Sequence, residues 1–353
     1  MTAALVDRIA KAVLYEGYML YPYRPSSIKN RRRFNFGVLS PREYCEAQST
    51  GEASSLHLEC LVRGSSGAKL DVQLRFLHLT ARDVGQFLNP VRALPGGQLP
   101  EYRLVPSLEI GDQLLQSWDD AVECEVTVQA TLEQIASAPL RRSFVFRGGE
   151  TIDPLHSAES GFVGVLVRRQ ESIAGQFELV AESLKDELFR LTLHISNVSA
   201  VPGAESLNRD AALLHSLIST HAILHTVDGE FVSLLDPPPA LRSVAQACEN
   251  KGVWPVLVGE EGDSHTMLAS PIILYDYPQV APESPGDLFD GAEIDEILSL
   301  RILTMTDDEK HEMRHADERA RQILERTENL PEEQLRKLHG ALRSLRAMKG
   351  ELS

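Results

Sequence analysis

The amino-acid sequence predicts an α+β chain. An antiparallel β-rich sandwich or barrel-like domain is expected over residues 1–200, a small mixed α/β module over 201–300 and a C-terminal helical hairpin over 301–353. Three observations lead there. Apolar and polar residues alternate with period two through most of Leu56–Ile195, the spacing turns helical after Asn208, and Thr306 opens a charged segment with a helix-start signature. A length of 353 residues also exceeds what one hydrophobic core usually serves, so more than one domain is the default.

Taken in order, Leu5, Ile9 and Val13, with Ala12, recur at helical spacing, and Asp7, Arg8 and Lys11 take the opposite face. Gly17 weakens this helix, and Pro22 and Pro25 push Tyr21 and Arg24 toward extended backbone. Leu56, Leu58, Cys60 and Val62 alternate with polar neighbours, and after Gly64-Ser65-Ser66-Gly67 so do Leu70, Val72, Leu74 and Phe76, which predicts a hairpin with one wet face. Phe87–Pro106, rich in Gly and Pro, reads as a long loop. Further strands are expected at Val122–Val128, Phe144–Phe146, Phe162–Val167, Phe177–Ala181 and Leu188–Ile195.

Beyond Asn208, the apolar set Leu213, Leu214, Leu217, Ile218 and Leu224 predicts a helix over Asp210–Thr226. A turn at Asp228-Gly229, a strand over Phe231–Leu235 stopped by Pro237-Pro238-Pro239, a helix around Leu241–Cys248 and strands near Val256 and Ile272 follow. Thr306-Asp307-Asp308-Glu309 is a capping box, and Leu335, Leu338, Leu342 and Leu345 form a narrow seam in a second tail helix. That seam offers a route to a homo-oligomer or to a partner.

Charge separates function classes. The net charge of -16 would repel a polyanion over most of the surface, so nucleic acid is not an expected partner. No run of about 18 uncharged apolar residues is present, which argues against a membrane span, and residues 1–20 lack a signal-peptide pattern, so a cytoplasmic location is expected. The first 150 residues hold 17 Lys and Arg against 17 Asp and Glu, whereas the rest hold 18 against 34. Two distinct surfaces follow from that division. One is the stretch Leu14–Leu39, with four tyrosines and five cationic side chains, in which Tyr21, Tyr23, Arg24, Lys29, Arg31, Arg32 and Arg33 can bind an anion or an acidic partner. A solvated loop paired with the chain's own carboxylates is the simpler account. The other is Pro282–Leu300, where Asp287, Asp290 and Glu293 accompany Ile294, Ile297 and Leu298 as an acidic docking element.

The motifs that carry chemistry are sparse. Cys45, Cys60, Cys124 and Cys248 are scattered without a C-x-x-C pair, which fits buried free thiols rather than a zinc knuckle or a redox dithiol. On the predicted helix, His221 and His225 would share a face, with Asp263 and His265 as further ligands for nickel or zinc. They lack the glutamate of the zinc-protease motif, and structural packing is the plainer role. His57, His78 and His194 lie in or at the ends of strands with nothing to show whether they converge. No phosphate cradle, nucleophile elbow or catalytic carboxylate pair stands out, so catalytic residues are not assigned and a non-catalytic protein is favoured, with no cofactor required.

The segments VLYEGYMLYPYRPSSIKNRRRFNFGVL, FLHL and SHTMLASPIILYDYPQVAPESPGDLFDGAEIDEILSLRILTMTDDEK resemble an uncharacterised family of bacterial proteins associated with nickel-iron hydrogenase gene clusters. The resemblance spans most of the chain. It implies an accessory role in hydrogenase assembly or maturation, with hydrogenase subunits or maturation factors as partners. It carries over no catalytic residues.

Overall fold

The structure, a computed structural model, describes residues 2–15, 36–49, 51–111, 113–279, 305–316 and positions 321, 324, 325, 328 and 329. Its elements run α1 (Thr2–Leu14), α2 (Arg42–Gln48), β1 (Ser55–Val91), β2 (Tyr102–Val105), β3 (Ser107–Ile110), β4 (Gln113–Gln116), β5 (Trp118–Thr131) and α3 (Leu132–Ser137). They continue with β6 (Leu140–Phe146), β7 (Gly149–Ser157), β8 (Gly161–Gln170), β9 (Ile173–Ser183), β10 (Leu188–Asn197) and α4 (Arg209–Leu213). The last are β11 (Ile218–Val232), α5 (Arg242–Gln246), β12 (Trp254–Leu257), β13 (Thr266–Ser270) and α6 (Asp307–Ala316). The protein is mostly antiparallel sheet, as its period-two patterning predicts.

One strand organises that sheet. β1 is 37 residues long, where strands usually have about 5–6. Ser55–Arg63 pairs with β10, Lys69–Arg82 with β5, and Ala81–Val91 with β8, while β2 pairs over Val84–Phe87. β11 runs along both of the first two parts, with a register break between Gly64 and Lys69. The predicted hairpin is therefore a single strand. Gly64-Ser65-Ser66-Gly67 bends it without reversing it, because both halves find their partners in β11 rather than in each other. The predicted loop at Phe87–Pro106 likewise holds the end of β1 and the whole of β2.

The helix expected over Asp210–Thr226 is a second correction. Helical spacing holds for one turn in α4, and the rest is β11. The reason is burial on both faces. Ala222 and Leu224 enter the main core while Ile223 packs beneath α1, and a run that is apolar on every side has no period to separate strand from helix. Asp228-Gly229 is also no turn. Asp228 lies inside β11 with φ 63°, opposite the bend in β1. Since β12, β13 and β11 join β1 in one sheet, the sheet continues across residue 200.

The bend lets the two halves of β1 share a core. Leu58 and Cys60 from one half and Leu74 and Phe76 from the other pack with Leu193 of β10, Phe177 of β9 and Val128 of β5. Phe76 stacks on Phe144 at 5.9 Å between ring centroids and meets Phe146 edge-on at 5.5 Å. α3 adds Leu132 and Ile135 to this core, and its start is fixed by a reciprocal capping box between Thr131 and Gln134. On the opposite face of the same sheet, α1 packs Val6, Ile9, Ala10 and Val13 against Ile223, Val256, Val258 and Leu268. Beside it, Met305 and Met313 join Leu14, Leu77, Leu79 and Trp118.

The Thr306–Glu309 capping box forms as expected and opens α6, which packs against β4. The second helix of the predicted tail hairpin lies outside the described residues. Cys60 and Cys124 are buried free thiols, and burial pushes the Cys124 thiol up to about 12. Among the described residues no helix is long and apolar enough to cross a membrane.

One cross-strand pair shows how tightly the core is filled. Gly175 of β9 faces Phe144 of β6, and a Cβ added there would lie 2.1 Å from the Phe144 ring. Gly175→Ala should cost roughly 1–3 kcal/mol by forcing that ring off its seat. Gly149→Ala, where nothing lies within 4 Å, should be nearly neutral. Urea unfolding, comparing midpoints at unchanged slope, checks both.

Candidate functional site

The pleat of β1 that sends Leu70, Val72 and Leu74 into the core sends Asp71, Gln73 and Arg75 to the other face. The register places them opposite His225, Ile223 and His221 of β11. His225 in turn faces Thr266 of β13. α1 lies over this face and brings Val6 and Asp7, while the loop before β13 brings Asp263 and His265. Together these groups line a cavity of about 520 Å³. Three carboxylates, two imidazoles and one guanidinium thus surround an aliphatic floor of Val6 and Ile223.

Arg75 ties the helix to the sheet. Its guanidinium donates to Asp7 Oδ1 at 2.9 Å and to Glu125 Oε2 at 3.0 Å. Burial works to raise the Asp7 pKa, but the Arg75 hydrogen bond and the charges of Lys11 and Arg75 outweigh it, so the carboxyl sits below its ordinary range. Asp263 behaves similarly. Burial opposes its charge, yet it accepts from the His265 backbone N–H and from His265 Nδ1, both at 2.9 Å, and its pKa is lowered. Asp71 accepts from Gln129 Nε2 at 2.9 Å through Oδ2, while its Oδ1 is shielded from solvent with no donor among the described residues.

The expected metal ligands divide in two. His225 and His265 line the cavity, and each has Nδ1 engaged, by Thr266 Oγ1 at 3.0 Å and by Asp263. His221 is absent from its lining. Residues four apart share a helix face at close range, but along an extended strand they stand roughly 13 Å apart. His221 is instead fully buried, its Nδ1 donating to the Ser219 carbonyl at 2.8 Å and its Nε2 without a partner among the described residues. Among the described residues no three His, Cys, Asp or Glu side chains are grouped to hold a metal.

His57 and His194 form a cross-strand pair with ring centroids 6.3 Å apart, away from this cavity. Burial, then the neighbouring His57, lowers the His194 pKa. His78 is buried in the sheet, where burial lowers its pKa against the opposing effect of the Glu171 and Leu214 backbone. Tyr21, Tyr23, Arg24, Lys29, Arg31, Arg32, Arg33, Asp287, Asp290 and Glu293 lie outside the described residues. Asp71, Gln73 and Arg75 were not singled out from the sequence, because they alternate with core residues as any wet strand face does. Their only signal is three consecutive outward positions that all carry hydrogen-bonding groups.

No family model matches the chain, and no curated protein matches it. Among solved structures, the Salmonella SPI-1 type III secretion injectisome secretin InvG in its open gate state aligns over 56% of this chain and 66% of that one. Sequence identity is 9% and the TM-score 0.12. This chain therefore spans less than two thirds of that secretin chain, and a likeness so low supports no statement about fold or role.

Burial drives the His221 pKa from the ordinary 6.5 to about 4, with the Arg75 charge adding to the effect and the Ser219 carbonyl opposing it. Between those values the unfolded chain binds a proton that the folded one refuses. Stability from this group is therefore complete above about pH 6.5 and lost as the pH falls toward 4, on the order of 3 kcal/mol in all. Urea unfolding at about pH 7.5 and about pH 5 should show about 2 kcal/mol of this loss in the natural protein and a smaller one in His221→Leu.

Proposed function

We propose that this protein is a non-catalytic accessory or assembly protein that holds protein partners, in the setting its sequence resemblance implies, the maturation of nickel-iron hydrogenase. The observation that carries this reading is the position of α1. Its Val6 and Asp7 form one wall of the carboxylate-lined cleft, and its sequence runs directly into the tyrosine- and arginine-rich stretch after Leu14. A recessed, charged cleft walled by a helix whose sequence leads into a segment rich in Tyr and Arg fits protein recognition, where such residues supply anchors. The acidic segment at Asp287, Asp290 and Glu293 would add a second contact of opposite sign. The protein would act as a docking platform without turnover.

A metal-dependent enzyme or a nickel carrier is the second reading, and one observation favours it. His225 and His265 have Nδ1 engaged, the arrangement that fixes a ring so that Nε2 can bind nickel or zinc. Asp263 would be the supporting carboxylate, and His221 has no part in it.

Affinity capture of the tagged protein from its native cells, with elemental analysis of the same sample, separates the two. Recovery of hydrogenase subunits or maturation factors, lost when Arg31, Arg32 and Arg33 are replaced by Gln, is the expected result. A stoichiometric nickel or zinc ion that disappears in His225→Ala and His265→Ala, with no partner recovered, would overturn the docking reading.

A further inference from the structure

We infer that the cleft between α1 and the β1–β11–β13 face receives a single basic side chain, arginine or lysine, presented by an exposed segment of a protein partner. The inference rests on the docking reading above and names the chemistry that the partner must bring.

The floor comes first. Val6 and Ile223 are buried aliphatic residues at 8% and 7% exposure, and they offer a dry surface along which the methylene stem of a long cationic side chain can lie. The charge bookkeeping comes next. Arg75 is the cavity's own cation, and Asp7 and Glu125 already satisfy it in a shared ion pair. Among the described residues, two carboxylates then remain without an Arg or Lys partner: Asp263 accepts from His265, and Asp71 accepts the neutral amide of Gln129. The cavity is therefore net negative around an apolar base, the complement of a lysine or arginine and the opposite of what an anion requires.

Asp71 adds an independent observation. Its Oδ1 is withdrawn from water and has no donor among the described residues, and an acceptor in that state carries an unmet desolvation cost. A cation entering the cleft offsets the charge of that carboxylate without reaching Oδ1 itself, and a guanidinium brings several N–H groups held in one plane. The lowered pKa values of Asp7 and Asp263 keep both carboxylates charged across the neutral range.

The test uses the full chain labelled with 13C at histidine Cε1. The probe is acetyl-Gly-Arg-Gly-amide, compared with its citrulline analogue, which keeps the shape and loses the charge. The arginine probe should shift the His225 and His265 resonances saturably, and the citrulline probe should bind at least about tenfold more weakly. Asp71→Asn and Asp263→Asn should each weaken the arginine probe by about tenfold, whereas Glu182→Gln, a remote exposed carboxylate, should not. Should either aspartate variant fail to fold, arginine against citrulline on the natural chain decides alone.

Equal response to the two probes, or an equal loss in Glu182→Gln, would overturn the inference and leave only general attraction to a protein of net charge -16. So would nickel alone shifting both histidines while arginine does nothing. Binding that emerges only after Arg31, Arg32 and Arg33 are replaced by Gln overturns the partner as occupant and gives the cleft to the chain's own basic run. Capture of a partner at natural strength by both aspartate variants removes the cleft from the interface and leaves the docking reading intact. Arginine binding with no partner captured sinks that reading and leaves the cleft's preference standing.

Discussion

The hydrogen bonding of β1 is the constraint on which the rest of this molecule depends. A strand has two edges, and β1 spends both of them along most of its length, on β10 and β11 below its bend, on β11 and β5 above it, and on β8 and β2 at its far end. Backbone polar groups along that stretch are therefore paired largely inside the sheet, and where the ladder is interrupted side chains serve, as Asn250 does for the Glu59 N–H and Ser117 for the Val84 N–H. The pleat then decides the chemistry. Once Leu70, Val72 and Leu74 face the core, Asp71, Gln73 and Arg75 have no alternative to the opposite face, and a slip of one residue would exchange the two sets.

The cleft is what forms where a helix covers that polar face incompletely. α1 seals the sheet over Ile223, Val256 and Leu268 through an ordinary apolar stripe, and at its N-terminal half the stripe gives way to Asp7. Asp7 meets Arg75 there, so the helix is held by packing along one part and by an ion pair at the edge of the cavity. The Asp7 carboxyl is about half exposed, at 45%, which limits the strength of that pair, and the apolar contacts carry most of the attachment. Charge at this site positions the helix more than it stabilises it.

Much of the fold was legible in the sequence wherever one face of a strand is wet. Val126 and Val128 against Glu125 and Thr127, or Leu193 and Ile195 against Thr192 and His194, announce their period without help from the rest of the chain. Legibility failed where both faces are covered. β11 is apolar on each side and its sequence reads equally as a helix, so the shared helix face expected of His221 and His225 does not form. The bend at Gly64–Gly67 failed for a different reason, since a glycine-serine run permits a reversal and a kink equally, and only the distant strand β11 selects between them. Of the candidate site, His225, Asp263 and His265 could be named, but their company could not. Asp7 lies 64 residues from Asp71 and 68 from Arg75, and only the packing of α1 on the sheet brings them together.

The reach of β1 also bears on how the chain can be made. Ser55–Arg63 waits for Leu188–Ser196, and Leu61–Leu77 waits for Ile218–Val232, so this strand is synthesised long before either neighbour exists. Contacts of such sequence separation are slow to close, and an unpaired apolar strand is a template for the wrong partner in the meantime. β5 can pair first with the upper half, its partners lying 36 to 62 residues further on. The lower half, with Leu56, Leu58 and Cys60 exposed, has no such early shelter, and it is there that a nascent chain would most need a chaperone.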